Sequence, residues 1–300
     1  GAFKAVPKVN LHAMELTASC YRVPTFDVTS SVVYTNAVPS GHMRSPGGPQ
    51  IAFAVESQLN IVSAELGIDP AELRMKNLVR PGDSAPNGEQ WVNIKATETL
   101  QAALDAIGWG EPKAPNIGRG LAMYERGAIG GDSSCKLVLH QDGALTLILP
   151  IPDPGQGGAT VMQQIAAEHL GVEPQRIAVR SVPTDELPFD LGVGGSRTTF
   201  ALGVTVAQAA ETLLARLKET AGAAPFEEAA AALLASEGGD VTVDVYRKIP
   251  FLPDPPTTEF TAQAAEVKVD PETGQVTVLN LVTAHDVGTI INPAGHQGQI

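Results

Sequence analysis

Gly192-Val193-Gly194-Gly195-Ser196-Arg197-Thr198-Thr199 runs without a break into the alanine-rich stretch that follows, Ala201 to Leu217, whose apolar residues fall at helical spacing. Glycines let a backbone approach a ligand closely, and the start of a helix presents unpaired N–H groups at the positive end of its dipole. Ser196, Thr198 and Thr199 add hydroxyl donors. The run therefore reads as an anion-cradling loop for a large phosphorylated cofactor, although the same residues also suit a plain helix cap. It matches neither GxxxxGK[ST] nor a GxGxxG that follows a strand in a βαβ unit, which disfavours P-loop and NAD chemistry.

The same arrangement occurs twice more upstream. Pro152-Asp153-Pro154-Gly155-Gln156-Gly157-Gly158 precedes a helix expected from Ala159 to Leu170 and a strand from Ile177 to Ser181. Its central carboxamide can both donate to and accept from a heterocycle edge. Val28 to Val38 alternates as a strand should, and the loop from Pro39 to Pro49 leads into a helix from Gln50 to Leu66. That helix is expected to bury Ile51, Val55, Leu59, Val62 and Leu66 and to stop at Gly67. Arg44 in the loop offers a guanidinium for an anion or a polarised oxygen, or a solvated surface charge.

The remaining elements give a mixed α and β pattern. Asp69-Pro70-Ala71-Glu72 signals a helix start, with an acidic N-cap, Pro at the first turn and Glu behind it. Pro81-Gly82-Asp83 is a turn, Thr97 to Ile107 a helix, and the Pro- and Gly-rich connector from Gly110 to Gly118 the expected domain boundary. Strands follow at Gly120–Glu125, Cys135–Gln141 and Ala144–Leu149, the last two joined by the hairpin turn Asp142-Gly143. After an alanine-rich helix near Glu227 to Ser236, strands are expected at Val241–Val245, Thr258–Val269 and Gln275–Thr283. Asp270 to Gly274 forms the hairpin turn between the latter two, and a loop from His285 to Pro293 follows.

Composition removes several classes. A formal net charge of −13 over 300 residues disfavours a nucleic-acid surface, because phosphates must be neutralised by clustered Lys and Arg. Two cysteines, Cys20 and Cys135, make no disulfide framework and no CxxC site, which points to a reducing cytoplasm. Neither a signal peptide nor an apolar run of about 20 residues is present, so no membrane span is expected. The six histidines, His12, His42, His140, His169, His285 and His296, show no metal-ligand spacing. Ser133 and Ser134 lack a nucleophile-elbow context. Asp185-Glu186 and Asp190 read as a solvated loop face, with a paired carboxylate site as the alternative.

Taken together, the loops resemble the molybdenum-cofactor-binding large subunit of the xanthine dehydrogenase and aldehyde oxidase family. Thr35-Asn36 to Met43-Arg44-Ser45-Pro46-Gly47-Gly48-Pro49-Gln50 is similar to that family's active-site arginine loop, and Glu72-Leu73-Arg74-Met75-Lys76-Asn77 with Pro81-Gly82-Asp83 to the segment after it. Pro154-Gly155-Gln156-Gly157 resembles its pterin-contacting GQG loop, and Gly194-Gly195-Ser196-Arg197-Thr198-Thr199 its phosphate-contacting GGSR(S/T)T loop. Asp286-Val287-Gly288 to Ile291-Asn292-Pro293 and Gly298-Gln299 resemble its DVG…NP…GQ segment.

The resemblance implies an α+β fold of mixed sheets with helices. Residues 1–112 would be the C-terminal part of a first molybdopterin-binding domain and residues 113–300 the second. It implies a molybdopterin or molybdopterin cytosine dinucleotide carrying molybdenum, held through the cofactor and not by protein ligands. The reaction implied is hydroxylation of an aldehyde or N-heterocycle with water as oxygen donor. Arg44 would lie near substrate and metal, Gly155 and Gln156 against the pterin, Gly195, Ser196, Thr198 and Thr199 at the phosphate end, and Gln299 at a further cofactor contact. Partners implied are the remaining part of the large subunit, an iron–sulfur subunit and a flavin (FAD) subunit. The family's catalytic glutamate would fall after Ile300 and its first glycine-rich loop before Gly1, so the chain is expected to be inactive alone; a non-catalytic cofactor-binding or scaffold fragment is the alternative. Ser45 stands where carbon monoxide dehydrogenases of the family place Cys, and Pro46 where heterocycle-oxidising relatives often carry Phe, which favours an aldehyde or another heterocycle over xanthine.

Overall fold

The computed structural model describes residues 20–25, 27–29, 31, 33, 35–37, 44–84, 90–251 and 258–300. His12, His42 and Met43 lie outside the described residues, and those described between Val28 and Ala37 form no strand. Helix α1 spans Gly48–Leu66 and ends as expected, with the Gly67 N–H donating to the Ser63 and Ala64 carbonyls. Its buried face is not the expected one. Glu56 and Ser63 are buried, Val55 and Leu59 pack on the core from partial exposure, and Leu66 is 62% exposed.

The reason is a buried ion pair. Arg74 lies on α2 (Pro70–Asn77), whose start follows the predicted logic, the Asp69 carboxylate accepting from the N–H groups of Ala71 and Glu72. Arg74 Nε donates to Glu56 Oε2 at 2.8 Å, its Nη1 to the Pro70 carbonyl, and its Nη2 to the Glu56 carbonyl and Asn60 Oδ1. The Glu56 carboxylate also accepts from the Tyr21 hydroxyl at 2.6 Å and from the Met123 N–H at 3.0 Å. Burial first and the Glu56 charge second push the Tyr21 hydroxyl well above its ordinary pKa, so it stays a donor. Turning Glu56 inward to meet these donors rotates the apolar stripe of α1 partly away from the core.

The chain folds as two compact units. The first holds the chain up to Gly127 and, again, the segment through to Gly288. After α3 (Ala96–Ile107), the Gly110–Gly118 connector leads into β1 (Ile117–Gly127) of this same unit. There β1 pairs antiparallel with β6 (Thr258–Val269), and β6 with β7 (Val276–Asp286), giving the order β1-β6-β7. The β6–β7 turn uses Asp270 as read from sequence, its carboxylate accepting from the N–H groups of Glu272 and Thr273. Leu100, Ala103, Leu104 and Ile107 of α3 pack against Phe260, Ala262 and Ala264 of β6, and Trp91 meets Phe260 edge to face at 6.1 Å.

The second unit holds β2 (Gly131–Leu139), β3 (Leu145–Leu149), α4 (Gly158–Leu170), β4 (Ile177–Ser181), α5 (Gly203–Ala221), α6 (Phe226–Glu237), β5 (Val241–Ile249) and the short α7 (Pro293–Gln297). Its sheet runs β4-β3-β2-β5, antiparallel apart from the parallel pair β3 and β4 that α4 connects. Leu137, Leu139, Leu145, Leu147 and Ile177 of the sheet are buried under Met162 of α4 and Val206, Ala209, Ala210 and Leu213 of α5. The stretch Thr198–Ala221 is long and apolar enough to cross a membrane, and half of it is buried in this structure. Its apolar residues are spent on the core.

Both tryptophans, Trp91 and Trp109, belong to the first unit, so their fluorescence reports its unfolding alone. Arg74→Ala would leave Glu56 charged, buried and short of its cation, and is expected to destabilise that unit by about 3–5 kcal/mol in urea unfolding followed at the tryptophans. An effect under about 0.5 kcal/mol, typical of a surface substitution, would contradict the role given to the pair.

Candidate cofactor-binding site

In the second unit, α4 begins where Pro152 to Gly158 ends, and the loop's N–H groups face an occupant already present. Asp153 accepts from the backbone of Gly155 at 3.0 Å, Gly157 at 3.2 Å and Ala159 at 3.2 Å. The anion cradled by this loop is therefore the chain's own carboxylate, where the sequence suggested an external one. Burial works to raise the Asp153 pKa, but the N–H donors of Gly155, Ala159, Gly157 and Gln156 outweigh it and hold the carboxyl below its ordinary value.

What the loop leaves open is the Gln156 side chain. Its Nε2 and Oε1 are both buried without a hydrogen-bond partner. An unpaired buried amide costs about 1–3 kcal/mol, so a donor and acceptor facing nothing mark a place for a polar ligand. Other predicted residues gather at the same point. A methyl group placed on Gly158 would lie 2.9 Å from Gln156 Nε2 and 3.6 Å from Thr198 Cγ2, and one placed on Gly157 would lie 3.9 Å from Asn292 Nδ2. Asn292 in turn caps α7 by accepting from the Gly295 N–H at 2.9 Å. Three separate stretches of sequence thus converge at the start of α4.

The glycine-rich loop has the opposite economy. Among the described residues, the backbone N–H groups of Gly195, Ser196, Thr198 and Thr199 and the three hydroxyls among them find no hydrogen-bond partner. These donors lead into and open a π-helical turn, Thr198–Leu202, that precedes α5. Gly195 has φ +60°, and a side chain there would run into Ile129, so only glycine fits. Ser196 has φ +59° as well and is exposed, a conformation that costs a non-glycine residue about 1–2 kcal/mol.

The loop is anchored by residues that the sequence reading missed. Arg197 is 1% exposed and its Nη1 meets Asp190 Oδ1 at 3.1 Å. Its other donors reach the carbonyls of Gly130, Gly131, Asp132 and Gly192. Asp190 therefore does not lie on a solvated face: only Asp185 and Glu186 are exposed, while its carboxylate also accepts from Ser133 Oγ and the N–H groups of Ser134 and Gly192. Ser133 and Ser134 are spent on this cluster and on the Pro188 carbonyl. Asp153 carried a readable signal, an Asp two residues before a glycine in a turn. Arg197 and Asp190 carried none, because a charged residue in a loop ordinarily reads as solvated.

Arg44 lies in the first unit and is exposed. Beside it, Ser45 adopts φ +55° and its hydroxyl lies 2.6 Å from that of Tyr124 on β1, which occupies the space a side chain at Gly48 would need. Asp286 accepts from the Lys95 N–H at 3.2 Å, also within the first unit, whereas Gln299 follows α7 in the second and is exposed.

The sequence signature of the molybdopterin cofactor-binding domain matches residues 98–300, and a second one residues 1–78. This chain belongs to the molybdopterin cofactor-binding family. It is 29% identical to the xanthine dehydrogenase molybdenum-binding subunit of Escherichia coli O157:H7, covering 91% of this chain and 41% of that protein. It is 28% identical to an aldehyde oxidoreductase of Megalodesulfovibrio gigas, covering 97% and 34%. The crystal structure of the aldehyde oxidoreductase from Desulfovibrio desulfuricans superposes with a TM-score of 0.83 at 25% identity, over 97% of this chain and 34% of that one. The chain spans less than half the length of these relatives. The mixed helix-and-sheet architecture expected from the resemblance is the one found.

Two outcomes test this geometry. Ser196→Gly releases the backbone strain and is expected to stabilise the second unit by up to about 1 kcal/mol, measured by thermal unfolding followed by circular dichroism; a loss of stability would show that the conformation is not strained. Because the folded pKa of Asp153 is depressed, its contribution is complete above the unfolded value of about 3.9 and is lost as pH falls through the folded value. Asp153→Ala is accordingly expected to be less stable than the parent at pH 7, by about 1 kcal/mol, and the gap to narrow as the pH is lowered below 4. A gap that widens on acidification would contradict the assignment.

Proposed function

We propose that this chain supplies the cofactor-binding loops of a molybdenum hydroxylase that oxidises an aldehyde or N-heterocycle with water as the oxygen donor. The observation that carries the reading is the buried, unpartnered Gln156 amide at the point where the Gly155, Thr198 and Asn292 loops meet. A pterin edge alternates donors and acceptors, and an amide offers one of each. The open N–H groups and hydroxyls from Gly195 to Thr199 suit a phosphate, which needs many donors and no net positive charge from the chain as a whole. The family match and the oxidoreductase relatives support the same reading.

In this assignment Gly155 and Gln156 orient the pterin, Gly195, Ser196, Thr198 and Thr199 hold the phosphate end, Gln299 adds a further contact, and Arg44 works beside substrate and metal. Bound molybdopterin, or its cytosine dinucleotide, supplies two-electron redox chemistry at molybdenum. The chain's own part is to bind and orient; no general base is assigned among its residues. This reading divides the family's domains near residue 112; the signature matches over residues 1–78 and 98–300 support two domains but meet upstream of that point, and β6 and β7 return to the first compact unit. The partners in this reading are the remainder of the large subunit, an iron–sulfur subunit and a flavin subunit, in the cytoplasm.

The assembled complex is expected to contain molybdenum and an extractable pterin. In it, Gln156→Leu should lower the content of both, while the same substitution stabilises the cofactor-free chain by about 1–3 kcal/mol through removal of the unpaired amide. Full cofactor content in the variant, or neither molybdenum nor pterin in the matured unaltered complex, would overturn the assignment.

A further inference from the structure

The loop from Gly195 to Thr199 has neither a disulfide nor a strand to fix it, yet its donors are useful only if they face one way together. We propose that Asp190 and Arg197 are the positioning pair of this loop: neither supplies a donor to the phosphate, and both set the geometry of those that do. The proposal rests on the reading of the loop as a phosphate grip.

The geometry supports a role beyond packing. Arg197 stands between Ser196 and Thr198, so every ligand-facing donor lies within two residues of its Cα. Its side chain turns away from them and is buried, tying the loop to three consecutive carbonyls, Gly130, Gly131 and Asp132, at the entry to β2. From the other side, Asp190 fixes the start of the loop through the Gly192 N–H at 2.6 Å and the β2 strand through Ser133 and Ser134. The Leu191 N–H donates to the Asp132 carbonyl at 3.0 Å and the Ile129 N–H to the Gly195 carbonyl at 3.2 Å, so both flanks of the loop are sewn to the same strand entry. All acceptors of Asp190 and all donors of Arg197 are thereby used inside the protein, which leaves the phosphate for the neighbours alone.

The test is binding of inorganic phosphate to this 300-residue chain, followed by broadening and shift of the ³¹P resonance, with thermal unfolding measured in parallel. Arg197→Lys keeps the charge and loses the planar fork, Asp190→Asn keeps the shape and loses the charge, and Ser133→Ala removes one mild support of Asp190. Leu147→Ala, in the core of the second unit, is the control for lost packing. The expected result is at least about tenfold weaker phosphate binding in the two pair variants, a smaller loss in Ser133→Ala, and near-parental binding in Leu147→Ala. If either pair variant fails to fold, Ser133→Ala against Leu147→Ala decides. Pair variants, or then Ser133→Ala, that bind phosphate as well as Leu147→Ala does would overturn the positioning role. An unaltered chain that binds no phosphate would overturn the anion reading of the loop, a distinct failure, and the pair's role with it.

Discussion

A guanidinium taken out of water holds its place only when its N–H donors find acceptors, and each unit of this protein is organised around one with four or five donor contacts inside the protein. In the first unit Arg74 binds the Glu56 carboxylate together with the carbonyls of Glu56 and Pro70 and the side chain of Asn60. In the second Arg197 binds Asp190 and the carbonyls of Gly130, Gly131, Asp132 and Gly192. Such pairs add little net stability over apolar residues of the same volume. What they add here is specificity, since only one arrangement of the surrounding backbone presents so many carbonyls to a planar fork. The orientation of α1 and the path of the glycine-rich loop both follow from that requirement.

The two helix starts in the second unit divide the work of recognition. At α4 the N–H groups of Gly155, Gly157 and Ala159 are taken by Asp153, and the loop also presents an uncharged amide, that of Gln156. Ahead of α5 the N–H groups stay open and the Asp190 carboxylate is turned inward and neutralised by Arg197. A repulsive charge is thus kept away from the loop that would hold phosphate, while the loop that would meet a neutral heterocycle is closed to anions. This local arrangement explains how a chain with a formal charge of −13 can offer an anion site without a basic surface.

Much of the framework could be read from the sequence because it obeys local rules. The Asp69-Pro70 start of α2, the Asp270 to Gly274 hairpin and the stop at Gly67 each depend on residues within a few positions of one another. The composition of the site loops was legible for the same reason. Three things were not. The return of β6 and β7 to the first unit pairs residues more than a hundred positions apart, which no window of sequence contains. The buried face of α1 follows Glu56, whose partners Tyr21, Arg74 and Met123 are scattered along the chain. Asp190 and Arg197 looked like solvated charges because their burial depends on the carbonyls of a distant strand.

The places where local rules are broken carry independent information about function. Among the described residues, the non-glycine residues with positive φ are Ser45, Asn93, Asn116 and Ser196. Asparagine visits that region at low cost, whereas serine does so less readily. Both serines fall in loops singled out for cofactor chemistry, one next to Arg44 and the other next to Arg197. They differ in how the strain is used. The Ser45 hydroxyl is held by Tyr124, so the conformation serves to fix the arginine loop, whereas Ser196 is exposed and keeps its hydroxyl open. A glycine at position 196 would satisfy the backbone better and would lose the hydroxyl. Retaining serine there makes sense only if the hydroxyl is worth more to a ligand than the strain costs the fold.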